Sequence, residues 1–210
     1  MWLEKLEGKF MTRLTFSSLP ADLQKAAQRR KLYSNQILFQ QNETADSIFF
    51  LQSGQIRLVS FINDQVVNNF FVGLGESFAE IAPFFETYPY TAIADQHSEV
   101  MATPKDRFIA ELNNNPDLCH QVMQQLAQRL DKTQKILTLR SIRSARERVL
   151  QYILMQLQPD ETYVDLERPL KDIASELGLA PEVLSRTLTT LENDGVINRN
   201  KKRITYQPSN

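Results

Sequence analysis

The chain has 210 residues, 24 Lys and Arg against 25 Asp and Glu, and a formal net charge of −1. That balance excludes a strongly basic field over the whole molecule, the kind that draws a protein indiscriminately to nucleic acid. One cysteine, Cys119, excludes an intrachain disulfide and a cysteine-ligated zinc or iron–sulfur centre, and two histidines, His97 and His120, leave little for a His-rich metal site or a Ser–His–Asp triad. With 42% hydrophobic residues, the composition is that of a globular protein. No apolar run nears the roughly 18 residues of a membrane span, and Met1 to Phe10 lacks the apolar core of a secretory leader. The expectation is a cytoplasmic protein with no metal, no cofactor and no membrane partner.

In chain order, Leu19-Pro20 to Arg30 predicts a short leading helix with Pro20 near its first turn. Five segments rich in β-branched and aromatic residues follow: Ile37–Phe39, Ser47–Leu51, Gln55–Val59, Val66–Phe71 and Thr91–Ala94. Gln41-Asn42-Glu43, Ser53-Gly54, Asn63-Asp64 and Gly73-Leu74-Gly75 separate them as turns, and Gly54 suits a positive φ. Residues 1–114 are therefore expected to form an antiparallel sandwich or barrel. Asn115-Pro116-Asp117 then signals a helix start. Cys119, Met123, Leu126, Leu130, Thr133, Leu137 and Arg140 recur at alternating spacings of four and three, opposite a polar face of Gln124, Gln125, Gln128, Arg129, Lys132 and Lys135. Such a stripe packs either on its own domain or along a parallel dimer seam. About 25 unbroken residues are more than a small β-domain needs to cover one face, which favours the seam. Residues 115–140 are thus expected to be a dimerisation helix and 141–210 a separate helical domain.

In that last domain Ala145, Val149, Ile153 and Leu157 form a helical stripe, and a turn follows at Gln158-Pro159-Asp160-Glu161. Leu170–Leu177 and Pro181–Glu192 are two short helices joined by Gly178-Leu179, and Val196 to Gln207 predicts two strands around the basic tip Asn198–Arg203. This is the spacing of a helix-turn-helix. Ala174 is small where the helices must touch, Gly178 permits a left-handed turn, and Leu184 plugs the second helix into the first. A second helix lying in the major groove would present Glu182, Ser185 and Arg186, with Thr189 one turn on, while Leu184, Leu188 and Leu191 face inward. Arg takes guanine through two hydrogen bonds, Glu accepts from a cytosine amino group, and Ser serves either role. Glu182 and Arg186 are also spaced for a helix salt bridge, and Ala180 is a poor N-cap. No acidic residue follows Gly195, so Arg199, Lys201, Lys202 and Arg203 concentrate four positive charges on one wing. Doubled in a dimer, they predict steeply salt-dependent DNA binding.

With these parts in this order, nearly the whole chain resembles the Crp/Fnr family of bacterial transcription regulators. Leu51-Gln52-Ser53-Gly54-Gln55, Gly75-Glu76-Ser77-Phe78-Ala79-Glu80, Asn115-Pro116-Asp117 and the helix-turn-helix carry the likeness. The resemblance implies an α+β fold: an N-terminal double-stranded β-helix (a jelly-roll-like β-roll sensor), a long dimerisation helix and a C-terminal winged helix-turn-helix. It implies a homodimer on palindromic promoter DNA, RNA polymerase as a candidate further partner, an unknown small-molecule effector, and no enzymatic activity. Glu182, Ser185 and Arg186 match the triplet of the Fnr-like branch, which implies TTGA-like half-sites. Pro181 stands where the cyclic-AMP branch has a further Arg.

The sensor departs from the family where cyclic nucleotides bind. Ala79-Glu80 replaces the Gly-Glu element that holds ribose and cyclic phosphate, and Tyr90-Thr91 replaces the Arg-Ser pair that grips the phosphate. A phenol cannot supply the charge-assisted fork of an arginine. On the long helix Thr133 matches a position that reaches adenine, but Gln134 replaces Ser. Control by cyclic AMP is therefore not expected. One cysteine per chain also excludes the four-cysteine oxygen-sensing cluster, and Cys119 and His120, about 100° apart on a helix, make a poor haem ligand pair. The competing reading is a small-molecule-binding β-barrel or enzyme with an accessory helical domain. It requires a catalytic constellation in the β-region, where Glu76, Glu80, Glu86 and His97 show no such spacing.

Overall fold

The computed structural model describes residues 14–63, 65–166 and 168–207. Met1 to Phe10, and Asp64 of the Asn63-Asp64 turn, lie outside the described residues. The chain divides into two compact units, Met1–Gln128 and Arg129–Asn210.

Among the described residues, the first unit has α1 (Ala21–Ala26) followed by eight strands: β1 (Gln28–Leu32), β2 (Ile37–Phe39), β3 (Ser47–Ser53), β4 (Ile56–Ile62), β5 (Gln65–Val72), β6 (Ser77–Phe78), β7 (Thr91–Ala94) and β8 (Ser98–Pro104). They form two antiparallel four-stranded sheets, ordered β1-β8-β3-β6 and β2-β7-β4-β5. The leading helix is shorter than expected. Ala27 is extended, and Gln28 to Arg30 pair with Ala102, Met101 and Val100 of β8. Ladder pairing with a central strand overrides the helical preference of Gln and Arg. Strand β8 was absent from the predicted set, although Ser98, Val100 and Ala102 alternate as buried positions with Glu99 and Met101. Residues 47–51 of β3 are all buried, because α2 (Lys105–Asn114) covers the face that the sandwich interior does not.

Aromatic rings fill that interior. Phe39 stacks on Tyr88 with centroids 3.8 Å apart, and Phe49 on Phe78 at 5.2 Å. The Tyr88 hydroxyl donates to Ser47 O (3.0 Å) and accepts from Ser47 N–H (3.0 Å). Gly54 has φ +86, and an added Cβ there would lie 2.6 Å from Ser98 Cα, so the hairpin needs both the angle and the missing side chain.

Helix α3 spans Pro116–Ser141, and Asn115 Oδ1 accepts from Leu118 N–H (3.1 Å) at its start. Leu118 and Val122 sit in the first unit's core, and Leu139 in the second's. The second unit continues with α4 (Ala145–Gln156), β9 (Tyr163–Asp165), α5 (Leu170–Leu177), α6 (Pro181–Asn193), β10 (Ile197–Asn200) and β11 (Arg203–Tyr206). Its strands form one sheet in the order β10-β11-β9. Val149, Ile153, Ile173, Leu177, Leu184, Leu188 and Ile204 make its core. Among the described residues no helix is long and apolar enough to cross a membrane.

Candidate nucleic-acid interface

Helix α5 ends at Gly178 with φ 65 and ψ 39. The Gly178 N–H donates to Ser175 O (3.1 Å) and the Leu179 N–H to Ala174 O (2.9 Å), the paired closure of a helix through a left-handed residue. An added Cβ would approach nothing closer than Arg140 Nε at 3.5 Å, so the backbone angle rather than space calls for glycine. Ala174 and Leu184, the predicted contact residues, are 0% and 1% exposed. Pro181 occupies the first turn of α6, and Ala180 provides no side-chain cap.

One face of α6 buries Leu184, Thr187, Leu188 and Leu191; the other exposes Glu182, Ser185, Arg186 and Thr189. The ion pair that the spacing of Glu182 and Arg186 allows is not formed, and Arg186 has no carboxylate partner among the described residues. The wing is the β10–β11 hairpin, closed by Lys201-Lys202 between the paired Asn200 and Arg203, with Lys201 at φ 57.

The wing's charges are not four free cations. The Arg199 guanidinium donates to Glu192 Oε2 from Nη2 (2.6 Å) and Nε (2.9 Å), and its Nη2 also reaches Thr189 Oγ1 (3.1 Å). Arg203 binds Asp165 through both carboxylate oxygens (2.9 and 2.7 Å) and lies 4.1 Å over the Tyr163 ring. Hydrogen bonds from these arginines hold the Glu192 and Asp165 carboxyls below the ordinary carboxylate range, and Asp165 holds Arg203 above its own. Of the four, only Lys201 and Lys202 have no carboxylate partner among the described residues, which corrects the expected charge of the tip. Beside them a cleft of about 320 Å³ carries Arg168, Arg199, Lys201 and Lys202 over a floor that includes Leu188 and Ile204. Asp165 was missed because it lies on a strand that was not predicted, and Glu192 because the turn after α6 decides whether it meets Arg199, seven residues on.

In the first unit, Ala79 is fully buried at φ 61, and its N–H donates to the Tyr90 hydroxyl (3.1 Å). Glu80 is 4% exposed, and its Oε1 accepts from Ser77 Oγ (2.5 Å) and from Gln125 Nε2 of α3 (2.9 Å). Thr91 is buried, and its Oγ1 accepts from Gln41 N–H (3.0 Å). The structure thus gathers Ala79, Glu80 and Tyr90 and adds Gln125, which sequence reasoning had placed on a merely polar face. Thr133 and Gln134 belong to the second unit and are exposed, with the Thr133 hydroxyl donating to Arg129 O (2.8 Å).

Along α3, Met123, Leu130 and Leu137, seven residues apart, are 56%, 59% and 61% exposed. Cys119 is half-buried and Thr133 exposed. Leu126 packs against the first unit's core together with Leu118 and Val122.

A two-sheet β-roll followed by a long helix and a winged helix-turn-helix is the architecture of a DNA-binding regulator with a sensor-type domain. Residues 29–115 match the cyclic nucleotide-binding domain and residues 147–207 the Crp-like helix-turn-helix domain. The chain belongs to the Crp/Fnr family of bacterial transcription regulators. It is 27% identical over 172 residues to the cyclic AMP receptor protein of Thermus thermophilus, covering 81% of this chain and 79% of that one. The transcriptional activatory protein AadR of Rhodopseudomonas palustris is 28% identical over 187 residues, covering 85% and 78%. The solved structure of FixK2 from Bradyrhizobium japonicum has the same fold, with a TM-score of 0.66, 18% identity and coverage of 87% and 93%.

Proposed function

We propose that this regulator binds two-fold-symmetric promoter DNA as a homodimer, with α6 in the major groove reading TTGA-like half-sites through Glu182, Ser185 and Arg186. The free face of α6 carries the reading. Its guanidinium is exposed and uncommitted, backed by a row of buried leucines that fixes which side faces out. Lys201 and Lys202, on the rim of the adjoining cleft, suit the phosphate backbone. The exposed Met123, Leu130 and Leu137 supply a heptad seam for the second copy. A gel shift tests it: a palindrome of TTGA half-sites should outcompete the same sequence with scrambled half-sites. Equal competition would overturn the assignment.

The sensor residues do not fit a cyclic phosphate. The Ala79 N–H is engaged by Tyr90, Thr91 by Gln41, and Ala79 keeps a methyl group at a left-handed position. A phenol in place of a cation leaves a buried phosphate uncompensated. DNA binding is therefore independent of cyclic AMP. Calorimetric titration should detect no micromolar binding, and such binding would overturn this part alone.

A further inference from the structure

Two arginines of the second unit spend their hydrogen bonds on the carbonyl ends of helices. Arg140, in the last turn of α3, donates from Nε to Glu176 O (3.0 Å) and from Nη2 to Ser175 O (2.9 Å). Arg148 of α4 donates from Nε and Nη2 to Ile142 O (3.1 and 2.6 Å), just past the end of α3. Its Nη1 donates to Leu177 O (3.0 Å) at the end of α5. Among the described residues neither has a carboxylate partner. The last carbonyls of a helix lack intrahelical donors and carry the negative end of its dipole, so each end is a seat for a cation. A guanidinium can serve two such carbonyls at once from one rigid plane, which an ammonium cannot. Lys132 Nζ, 3.7 Å from Glu176 Oε1, adds a third tie between α3 and α5.

We infer that Arg140 and Arg148 are positioning residues for DNA recognition: they clamp the end of α5, and with it the turn into α6, at one angle to the C-terminal half of α3. The inference rests on reading α6 as the recognition helix of a dimer joined along α3. In such a dimer this angle sets the distance between the two copies of α6, and so the half-site spacing that is accepted. Neither arginine lies on the exposed face of α6, so base preference within a half-site stays with Glu182, Ser185 and Arg186.

The test uses the full chain with Arg140→Gln and Arg148→Lys. Competition gel shifts compare palindromes whose central spacer is optimal, one base pair longer or one shorter, and palindromes with one substituted half-site base. Each variant is expected to lose discrimination among spacers by about tenfold, the scale of a typical coupling between two sites. Discrimination among half-site bases should be retained. Unchanged spacer discrimination in a folded variant overturns the inference, and so does an equal loss for spacers and bases, which marks a merely structural role. Arg140 is exposed, so Arg140→Gln decides alone if Arg148→Lys melts early by circular dichroism. A wild-type protein with no base preference at all would instead remove the recognition reading beneath it.

Discussion

Arg186 and Arg199 carry the same charge on neighbouring elements, and their surroundings give them different work. Arg186 projects from α6 with no carboxylate partner among the described residues, while Arg199 is held by Glu192 and Thr189. Arg186→Ala should therefore cost about 1–3 kcal/mol on the preferred site and relax a single base position, as measured by selection from a randomised half-site. Lys201 makes a different case. Its φ of 57 is a left-handed angle that costs an L-residue about 1–2 kcal/mol, so Lys201→Gly removes a charge while relieving the backbone. That variant should weaken all sequences alike and lower the slope of log affinity against log salt by about 0.9 per protomer, with the melting temperature held or raised. A change in base preference would move Lys201 from phosphate contact to readout.

Elements with a strong local signal were legible in the sequence. Helix α5, strand β2 and strand β7 match their predicted bounds, α6 runs one residue further at its end, and α3 is shifted by one residue at each end. The strands that were missed depend on partners far away. β1 is a strand because β8 is beside it, and β9 because β11 is. The same limit hid the charge state of the wing: Glu192 precedes Arg199 by seven residues, across a turn whose fold decides whether they meet. Glu192→Gln should free the Arg199 guanidinium and steepen the salt dependence of DNA binding by about 0.9 per protomer. Because the folded-state pKa of Glu192 is depressed, its pairing stabilises the wing at neutral pH and is lost as pH falls below the ordinary carboxylate range. A salt titration of wild type and variant at neutral pH checks the first point. Coincident slopes would mean that Arg199 already contacts phosphate while paired. On α3, Leu130→Glu places a charge in the proposed dimer seam and should yield monomers by analytical ultracentrifugation, with the first unit's melting unchanged.

At the scale of the molecule, a net charge of −1 conceals a division of labour among the cations. Arg140 and Arg148 cap helix ends, Arg199 and Arg203 brace the wing, and Arg186, Lys201 and Lys202 are left for a polyanion. The sequence count could locate the basic tip but not this allocation, since it depends on which carboxylates and carbonyls the fold brings within reach. Each unit also encloses one tyrosine whose neutrality the fold requires. Burial pushes Tyr88 of the first unit and Tyr152 of the second from the ordinary 10.0 to about 12, with Glu176 reinforcing the effect at Tyr152. A raised folded-state pKa contributes stability that is complete below pH 10 and is lost as pH rises through about 12, so both units weaken across that window. The two phenols can be separated by substitution. Tyr88→Phe strands the Ser47 N–H and C=O that its hydroxyl serves and should cost about 1–3 kcal/mol even at neutral pH. The Tyr152 hydroxyl makes no hydrogen bond among the described residues, so Tyr152→Phe should leave neutral-pH stability within about 0.5 kcal/mol of wild type. The variant should then fall less steeply than wild type in urea titrations at pH values between 10 and 12. Parallel declines for the two proteins would place the alkaline sensitivity elsewhere than in the burial of Tyr152.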